Sequence, residues 1–245
     1  GFTFICTGFS DVNRLLSFGS KVINFWHGTP IKKVYLDSLH DLNRLGTNKL
    51  SVFVSTKLMT FLTSRIAFYY ASNELEREIV CKAAKIPLSK SLALGAPRYD
   101  KIRELNISKL QKLIDLNKKI FLFAPTWREK ANWSNKYYVT NEIIKKLNLV
   151  LTNQNAILLI KPHPLTKSEE LLNLNLISSD FIRYTSEFGI DDINDIYPIA
   201  DLLITDVSSS IFDFQIFNKP IYLFMPDKDE YLSGDRGIYE YFIKV

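Results

Sequence analysis

The sequence predicts an α/β fold built from parallel sheets, and three observations carry this prediction. Short apolar runs alternate with longer segments of helical period, as in successive strand–helix units. The run Ala156–Ile160 is apolar at every position, as expected for a parallel strand that is covered on both faces. A polar stretch at 115–119 separates four predicted strands from five, so we expect two such sheets.

Each predicted strand is a short aliphatic, β-branched or aromatic run bounded by polar or turn residues, and each predicted helix has apolar residues three and four apart. The chain also begins with a strand-like run, Gly1-Phe2-Thr3-Phe4-Ile5-Cys6. Strands are predicted at 22–25, 52–54, 67–70, 91–94, 120–124, 156–160, 181–184, 202–205 and 221–224. Helices are predicted at 57–65, 74–82, 108–116, 141–152, 168–172, 193–199 and 209–217.

We place the domain boundary in the polar stretch, which gives domains at 1–116 and 117–245. Open α/β sheets bind ligands outside the carboxyl ends of their strands. Two such domains that face each other would therefore surround a central cleft.

Composition indicates a globular protein, because 47% of the 245 residues are hydrophobic and 23% are charged. No apolar run approaches the roughly 18 residues that span a bilayer. The start has no initiator Met and no signal-peptide pattern, so we expect a cytoplasmic piece of a longer polypeptide.

Cys6 and Cys81 lack zinc-ligand spacing and are expected to be reduced. The net charge of +5 favours either an anionic partner or a solvated basic surface.

The segment Thr205-Asp206-Val207-Ser208-Ser209-Ser210 is the clearest candidate for a phosphate site. It follows an apolar strand and opens a predicted helix, whose backbone N–H groups and dipole favour anions. One helix cap needs only one hydroxyl, so the serine run exceeds a capping role. Asp206 would repel a phosphate and is expected to cap the helix or orient a hydroxyl.

A second candidate is the segment around His27, which follows a predicted strand and precedes Gly28, Thr29 and Pro30. A neutral imidazole at the rim of a cleft could accept a proton near pH 7. The alternative is a structural histidine that hydrogen-bonds a neighbouring loop. The turn residues and the following Lys32 and Lys33 make the two interpretations about equal.

Other candidate side chains also follow predicted strands. Arg98 comes after a Gly-Ala-Pro turn and could bind phosphate or pair with Asp100. Arg128 could bind phosphate through both guanidinium edges or stack on Trp127. His163 lies between two prolines, which restrict its backbone. Such a restriction suits either a side chain that must keep one orientation or a rigid loop that serves packing.

Several motifs are missing from the sequence. It has no phosphate-binding G-x-x-x-x-G-K-[ST] loop, no G-x-G-x-x-G fingerprint, no G-x-S-x-G elbow and no D-x-D pair for a metal–diphosphate. Diphosphate charge would have to be met by Arg, Lys, His and helix N-termini. We therefore predict no metal and no other cofactor.

Taken together, these segments resemble the CDP-glycerol glycerophosphotransferases, the teichoic-acid primases and polymerases of bacterial cell walls. The resemblance covers nearly the whole chain. The matching segments are Trp26-His27-Gly28-Thr29-Pro30-Ile31-Lys32-Lys33, Gly95-Ala96-Pro97-Arg98-Tyr99-Asp100, Ala124-Pro125-Thr126-Trp127-Arg128, Lys161-Pro162-His163-Pro164, Thr205-Asp206-Val207-Ser208-Ser209, Phe212-Asp213-Phe214 and Arg236-Gly237. Val207 departs from the family pattern, which has Tyr there.

The resemblance implies a GT-B-like architecture of two Rossmann-like domains. It assigns the acceptor to domain 1–116, which lacks some of the family's first strands, and the nucleotide donor to domain 117–245. It also implies transfer of a polyol phosphate, glycerol phosphate or ribitol phosphate, from a CDP-linked donor to a hydroxyl, with release of CMP. The acceptor would be a lipid-linked or polymeric polyol phosphate or glycan, as in teichoic acid or capsule synthesis.

The resemblance also implies a role for each matching residue. His27 would be the catalytic base, and His163 would help to neutralise the donor phosphates. Arg128, Ser208 and Ser209 would bind the diphosphate, with Thr205 and Asp206 shaping that loop. Supporting roles fall to Gly28, Thr29, Lys32, Arg98 and Arg236. The polar residues at 227–237, which include Arg236, indicate either a loop that could close over the cleft or an ordinary surface loop.

Two other functions are compatible with parts of the sequence. A GT-B glycosyltransferase with a CMP-sugar donor would share the His-Pro and Ser-Ser segments, but the segments at 26–33 and 124–128 favour polyol-phosphate transfer. A membrane-surface module could use Lys32, Lys33, Lys57 and Arg65 on anionic lipid, so peripheral contact with the inner face of the cell membrane could accompany catalysis. Nucleic acid is not an expected partner, because the basic residues are scattered and no reader motif is present.

Overall fold

A computed structural model describes residues 1–13, 15, 17–102, 106–126, 141–163, 179–229 and 237–243. Contacts divide the chain into two compact units. Unit 1 comprises Gly1–Asp100 and Asp229–Val245, and unit 2 comprises Lys101–Lys228. The chain therefore leaves unit 1, forms unit 2 and returns to unit 1 at its end. The expected boundary at 116/117 lies inside unit 2, in the connection between a helix and the first strand of its sheet.

The elements alternate between strand and helix along most of the chain. The strands are β1 (Phe2–Ile5), β2 (Lys21–Asn24), β3 (Ile66–Ala71), β4 (Ser91–Ala93), β5 (Lys119–Phe123), β6 (Ala156–Ile160), β7 (Ile182–Tyr184), β8 (Leu202–Thr205) and β9 (Ile221–Leu223). The helices are α1 (Leu39–Leu42), α2 (Lys49–Ser64), α3 (Glu74–Ala84), α4 (Ile107–Ile114), α5 (Asn141–Asn153), α6 (Ser210–Gln215) and α7 (Glu240–Ile243).

Unit 1 contains a four-stranded sheet in the order β1-β2-β3-β4, and every pairing in it is parallel. Its core forms between the sheet and the helices, with Val22, Tyr69 and Val80 fully buried. Asparagine side chains start the two longer helices, since Asn48 accepts from the Ser51 amide and Asn73 from the Glu76 amide.

Unit 2 contains a five-stranded sheet in the order β7-β6-β5-β8-β9, and it too is parallel throughout. β6 is buried at every position, as its unbroken apolar sequence predicted. The predicted fold class, α/β with two parallel sheets, is thereby confirmed. Because the strands of each sheet are parallel, their carboxyl ends and the loops that follow lie at one edge of that sheet.

Some element predictions were wrong. The predicted strand at 52–54 is part of α2, a helix of 16 residues that begins well before the predicted start at 57. The Asn48 cap and the length of the helix outweigh the strand preference of a short Val-Phe-Val run. The strand-like start of the chain forms β1 instead. The predicted helix at 193–199 is only a 3-10 turn at Ile193–Asp195, and the predicted helix at 168–172 lies outside the described residues.

Candidate active site

The loop after β2 carries the His27 segment in an unusual backbone conformation. Trp26 has a φ of 50° and Gly28 a φ of 139°, so two positions of this short loop have positive φ. For tryptophan such a conformation costs roughly 1–3 kcal/mol, whereas glycine adopts it without a side-chain clash. The buried side chain of Asn24, at the end of β2, accepts a hydrogen bond of 2.8 Å from the Trp26 amide and so holds the strained residue.

His27 is exposed at the carboxyl edge of the unit 1 sheet. Its Nδ1 lies 3.0 Å from the backbone carbonyl oxygen of Cys6, in the loop after β1. A carbonyl oxygen can only accept, so this hydrogen bond requires the tautomer that carries its proton on Nδ1. In the neutral imidazole Nε2 is then the unprotonated nitrogen, which is the form that a general base needs.

The Cys6 loop is itself held by Asp11. The Asp11 carboxylate accepts hydrogen bonds of 2.7 Å from the amides of Cys6 and Thr7, and a further bond from the Thr7 hydroxyl. Burial acts to raise the pKa of Asp11, but these hydrogen bonds outweigh it and lower the pKa to about 2. The carbonyl that orients His27 thus belongs to a loop that an ionised carboxylate organises.

Thr29 is completely buried and joins the His27 loop to α3. Its hydroxyl accepts a hydrogen bond of 2.8 Å from the Asn73 side-chain amide and lies 3.4 Å from a carboxylate oxygen of Glu76. Neither Asn73 nor Glu76 was among the predicted site residues. The pattern Asn-x-x-Glu at 73–76 resembles a capping box, and this was the signal that could have identified both residues.

The last described residues of the chain pack on the same segment of unit 1. Lys32 pairs with Ile238 in an antiparallel bridge, and the backbone amide of Lys33 donates to the Gly237 carbonyl over 3.1 Å. The Tyr241 hydroxyl donates to the Pro30 carbonyl. The backbone that follows His27 is therefore fixed by residues 237–241, and the Lys32 side chain lies half-buried beside this contact.

In unit 2, Thr205 and Asp206 connect the loop after β8 to the loop after β5. The Thr205 hydroxyl donates to the Ala124 carbonyl over 2.6 Å. The Asp206 carboxylate accepts from the amide and the hydroxyl of Thr126, over 2.8 and 2.9 Å. Both residues are buried, so their side chains shape this edge of the sheet.

Ser208 and Ser209 follow at the start of α6. Ser208 donates to the Ser210 hydroxyl over 2.9 Å and accepts from the Ser210 amide over 3.2 Å. Ser209 occupies the cap position of α6, but its side chain makes no capping hydrogen bond there. The Val207 side chain, at the position where the family has Tyr, is 2% exposed and packs in the interior.

The loop after β6 carries Lys161 and His163, both half-buried. Burial lowers the pKa of Lys161, while the negative charges of Asp191 and Asp192 act in the opposite direction. β6 and β8 flank β5, so the His163 and Ser208 loops begin roughly 10 Å apart at two strand spacings. The unit 2 sheet thus brings together the predicted donor residues His163, Thr205, Asp206, Ser208 and Ser209 at one edge.

The arginine predictions have different outcomes. The Arg98 guanidinium lies over the Tyr99 ring, 4.9 Å from its centroid, after β4 and beyond β3 from the His27 loop. The neighbouring turn at 95–97 lines a cavity of about 370 Å³ together with Phe25 and Tyr70. Arg128 and Arg236 lie outside the described residues.

Within the described ranges, no group of His, Cys, Asp and Glu side chains has the arrangement of a metal site.

These features define a class of α/β protein in which parallel sheets present a histidine loop in one unit and a hydroxyl-rich loop in the other. The chain belongs to the CDP-glycerol:poly(glycerophosphate) glycerophosphotransferase family, whose model matches residues 9–245. The resemblance that the sequence motifs indicated is thereby confirmed.

Known relatives are consistent with this assignment. The chain is 31% identical to a teichoic acid glycerol-phosphate transferase of Staphylococcus aureus, over 87% of this chain and 54% of the relative. It is 30% identical to a teichoic acid poly(glycerol phosphate) polymerase of Bacillus spizizenii, over 91% of this chain and 56% of the relative. The structure of the wall teichoic acid polymerase TagF superposes with a TM-score of 0.66 at 27% identity, over 90% of this chain and 53% of that chain.

The chain therefore spans about half the length of the relatives that it matches. None of the helices in the described parts of the chain combines the length and the apolar character needed to cross a membrane.

Proposed function

We propose that this protein transfers a polyol phosphate from a CDP-linked donor to a hydroxyl group of a cell-wall or capsule polymer and releases CMP. The observation that carries the proposal is the state of His27. Its Nδ1 is committed to the Cys6 carbonyl, and its Nε2 is left as an acceptor at an exposed sheet edge, within a segment that matches the family pattern.

In the proposed reaction, His27 Nε2 accepts the proton of the acceptor hydroxyl. The hydroxyl oxygen attacks the phosphorus that carries the polyol, and a new P–O bond forms to the acceptor. The P–O bond to the bridging oxygen breaks, and that oxygen leaves with CMP. A positioned general base of this kind typically contributes about 10²–10⁴-fold to the rate.

Unit 2 is the proposed donor side. Negative charge on the diphosphate would be met by His163, by Arg128 and by the hydroxyls and amides of Ser208 and Ser209. Thr205 and Asp206 would act indirectly, because their side chains hold the β5 and β8 loops together. Gly28, Thr29 and Lys32 would support the acceptor side, and we assign Arg98 and Arg236 supporting roles from the family pattern alone.

The acceptor and the cellular setting of the protein follow from the same reaction. The acceptor would be a lipid-linked or polymeric polyol phosphate or glycan. Relatives act in teichoic acid synthesis by name, and a cytoplasmic enzyme in peripheral contact with an anionic membrane would suit such an acceptor.

A screen for CMP release tests the proposal. The protein would be incubated with CDP-glycerol, CDP-ribitol or CMP-sialic acid, each with and without a lipid-linked glycerol phosphate acceptor. We expect acceptor-dependent CMP release from a CDP-polyol, which His27→Ala lowers at least about a hundredfold. Release from the CMP-sugar alone would assign the protein to the glycosyltransferases, and vesicle binding without any CMP release would favour a binding module.

A further inference from the structure

Glu76 is a buried carboxylate directly behind the His27 loop. It is 1% exposed and lies in the first turn of α3. The Tyr69 hydroxyl donates to one of its oxygens over 2.8 Å, and the Ser72 amide donates to the same oxygen over 3.3 Å. The Ser72 hydroxyl donates to the other oxygen. A buried carboxylate is costly to desolvate, and this one is supplied with donors from β3 and from the turn into α3.

The second carboxylate oxygen also reaches the His27 loop. It lies 3.4 Å from the Thr29 hydroxyl, which in turn accepts from Asn73 over 2.8 Å. The Thr29 hydroxyl also lies 3.4 Å from the Ser72 hydroxyl, which itself donates to Glu76. A carboxylate can only accept, so Thr29 is the donor in its contact with Glu76. A completely buried side chain of the catalytic loop is thus fixed by two residues of α3 and its cap.

From these contacts we propose that Glu76 and Asn73 are positioning residues, which hold Thr29 and thereby keep His27 in its Nδ1-protonated, Nε2-accepting orientation. The inference deepens the proposed function and rests on His27 being the base. Glu76 itself does not contact His27; it acts through Thr29 and the intervening Gly28.

The geometry of the loop explains why one anchor is not sufficient. Asn24 fixes the residue before His27 by holding the Trp26 amide. Gly28, with a φ of 139°, follows His27 and has no side chain to restrict it. Without the Thr29 anchor, rotation about Gly28 could move the imidazole away from the Cys6 carbonyl. A misplacement of about 1 Å in a reacting group can lower a rate by roughly a hundredfold.

The test uses two conservative variants and one matched control. Thr29→Val keeps the shape of the side chain and removes the hydroxyl, while Glu76→Gln replaces one acceptor oxygen with a donor. Thr63→Val is the control, because Thr63 is a buried threonine of unit 1 whose hydroxyl donates to the carbonyl of Thr60 within α2. It precedes the amino end of β3, at the opposite edge of the sheet from His27.

We expect Thr29→Val and Glu76→Gln each to lower kcat about 10- to 100-fold, with the donor KM changed by less than about threefold. Thr29→Ser, which retains the hydroxyl, should restore most of the activity. Thr63→Val should keep wild-type kcat. Wild-type kcat in both Thr29→Val and Glu76→Gln would overturn the inference, as would an equal loss of kcat in the Thr63→Val control.

The ring tautomer gives a second readout that does not depend on activity. Nitrogen-15 NMR of the imidazole, assigned by the signal that His27→Asn removes, should show the Nδ1-protonated form in the wild type and a mixture of forms in Thr29→Val. An unchanged tautomer in a folded Thr29→Val protein would refute the positioning role. If the wild type released no CMP from any donor, the proposed function would fail while this measurement still decided the inference.

Discussion

At the scale of single residues, His27 has the features of a general base. Its imidazole is exposed, its Nδ1 is occupied by the Cys6 carbonyl, and the strained Trp26 before it is held by Asn24. His40, in α1, offers a comparison within the same unit, because it lies beside Asp41 on the surface of a short helix. A comparison of variants at the two positions therefore distinguishes a catalytic role of His27 from a general effect of losing an imidazole.

We expect His27→Ala to lower turnover at least about a hundredfold, because the acceptor hydroxyl loses the group that removes its proton. Donor affinity should stay nearly intact, since we assign the donor to unit 2. CMP-release kinetics and CDP titration measure the two quantities. His40→Ala should retain full turnover, and an unaffected rate in His27→Ala would remove His27 from the mechanism.

Asp11 provides a pH-dependent prediction at the same scale. Its pKa is lowered from 3.8 to about 2 in the folded protein, so the folded state favours the ionised form. The stabilisation is therefore present above about pH 4 and is lost as the pH falls toward 2. Because Asp11 is exposed, we expect less than about 1 kcal/mol after solvent screening.

Urea unfolding of the wild type and Asp11→Asn at several pH values between 6 and 2 would measure this contribution. The difference in unfolding free energy should shrink as the pH falls through that window. Asp180→Asn, at an exposed carboxylate of unit 2, is the control for a general loss of negative charge. A difference that is constant over the whole range would show that the Asp11 hydrogen bonds do not favour its ionised form.

At the scale of elements, β5 and β8 are tied together by an aspartate at each end. Asp206 binds Thr126 at the carboxyl ends, and Asp201 accepts from the Ile120 amide at the amino ends over 2.8 Å. The two contacts join the same pair of strands, but only the first lies at the edge that we assign to the donor. They form a natural pair for separating strand stability from donor binding.

We expect Asp206→Asn to weaken CDP binding at least about tenfold, because an amide nitrogen cannot accept from Thr126 and the β5 and β8 loops would separate. It should also destabilise the fold by about 1–3 kcal/mol through an unsatisfied buried donor. Calorimetric titration with CDP and urea unfolding measure these effects. Asp201→Asn should lower stability without a comparable loss of CDP affinity, and equal losses in both variants would contradict the assignment of this edge.

The elements also show what the sequence could and could not predict. β6 and α5 were predicted almost to the residue, because β6 is an unbroken apolar run and α5 is a long segment of helical period. The Val-Phe-Val run at 52–54 was misassigned because three residues cannot distinguish a strand from part of a helix that starts at a distant cap. The predicted positions of His27 and Ser208 after strands were confirmed, whereas their roles stay predictions. The capping pattern at 73–76 predicts a helix start at Glu76 but not the contact of Glu76 with Thr29, because Thr29 lies 47 positions away and only the fold brings the two residues together.

At the scale of the whole molecule, the chain returns to unit 1 after forming unit 2. The returning residues, Asp229–Val245, form the terminal segment, and Tyr239 joins it to the His27 region. The Tyr239 amide donates to the Ile31 carbonyl over 3.0 Å, and its hydroxyl donates to Asp37 over 3.0 Å. Burial raises the pKa of Tyr239 and of Tyr241, so both phenols stay protonated at neutral pH. The terminal segment is therefore part of the unit 1 structure around the proposed base.

Removal of residues 229–245 should loosen the His27 region and leave the unit 2 sheet intact. Lys33 donates its amide hydrogen to the Gly237 carbonyl, so hydrogen–deuterium exchange should accelerate over 29–34 while Ala156–Ile160 keeps its protection. CMP release should fall because the backbone after His27 is no longer fixed. Tyr222→Phe, which alters an exposed tyrosine of β9, is the control and should change neither property. Faster exchange in both units would mean that residues 229–245 stabilise the whole molecule. Unchanged exchange at 29–34 would mean that the His27 loop is held by Asn24 and Glu76 alone.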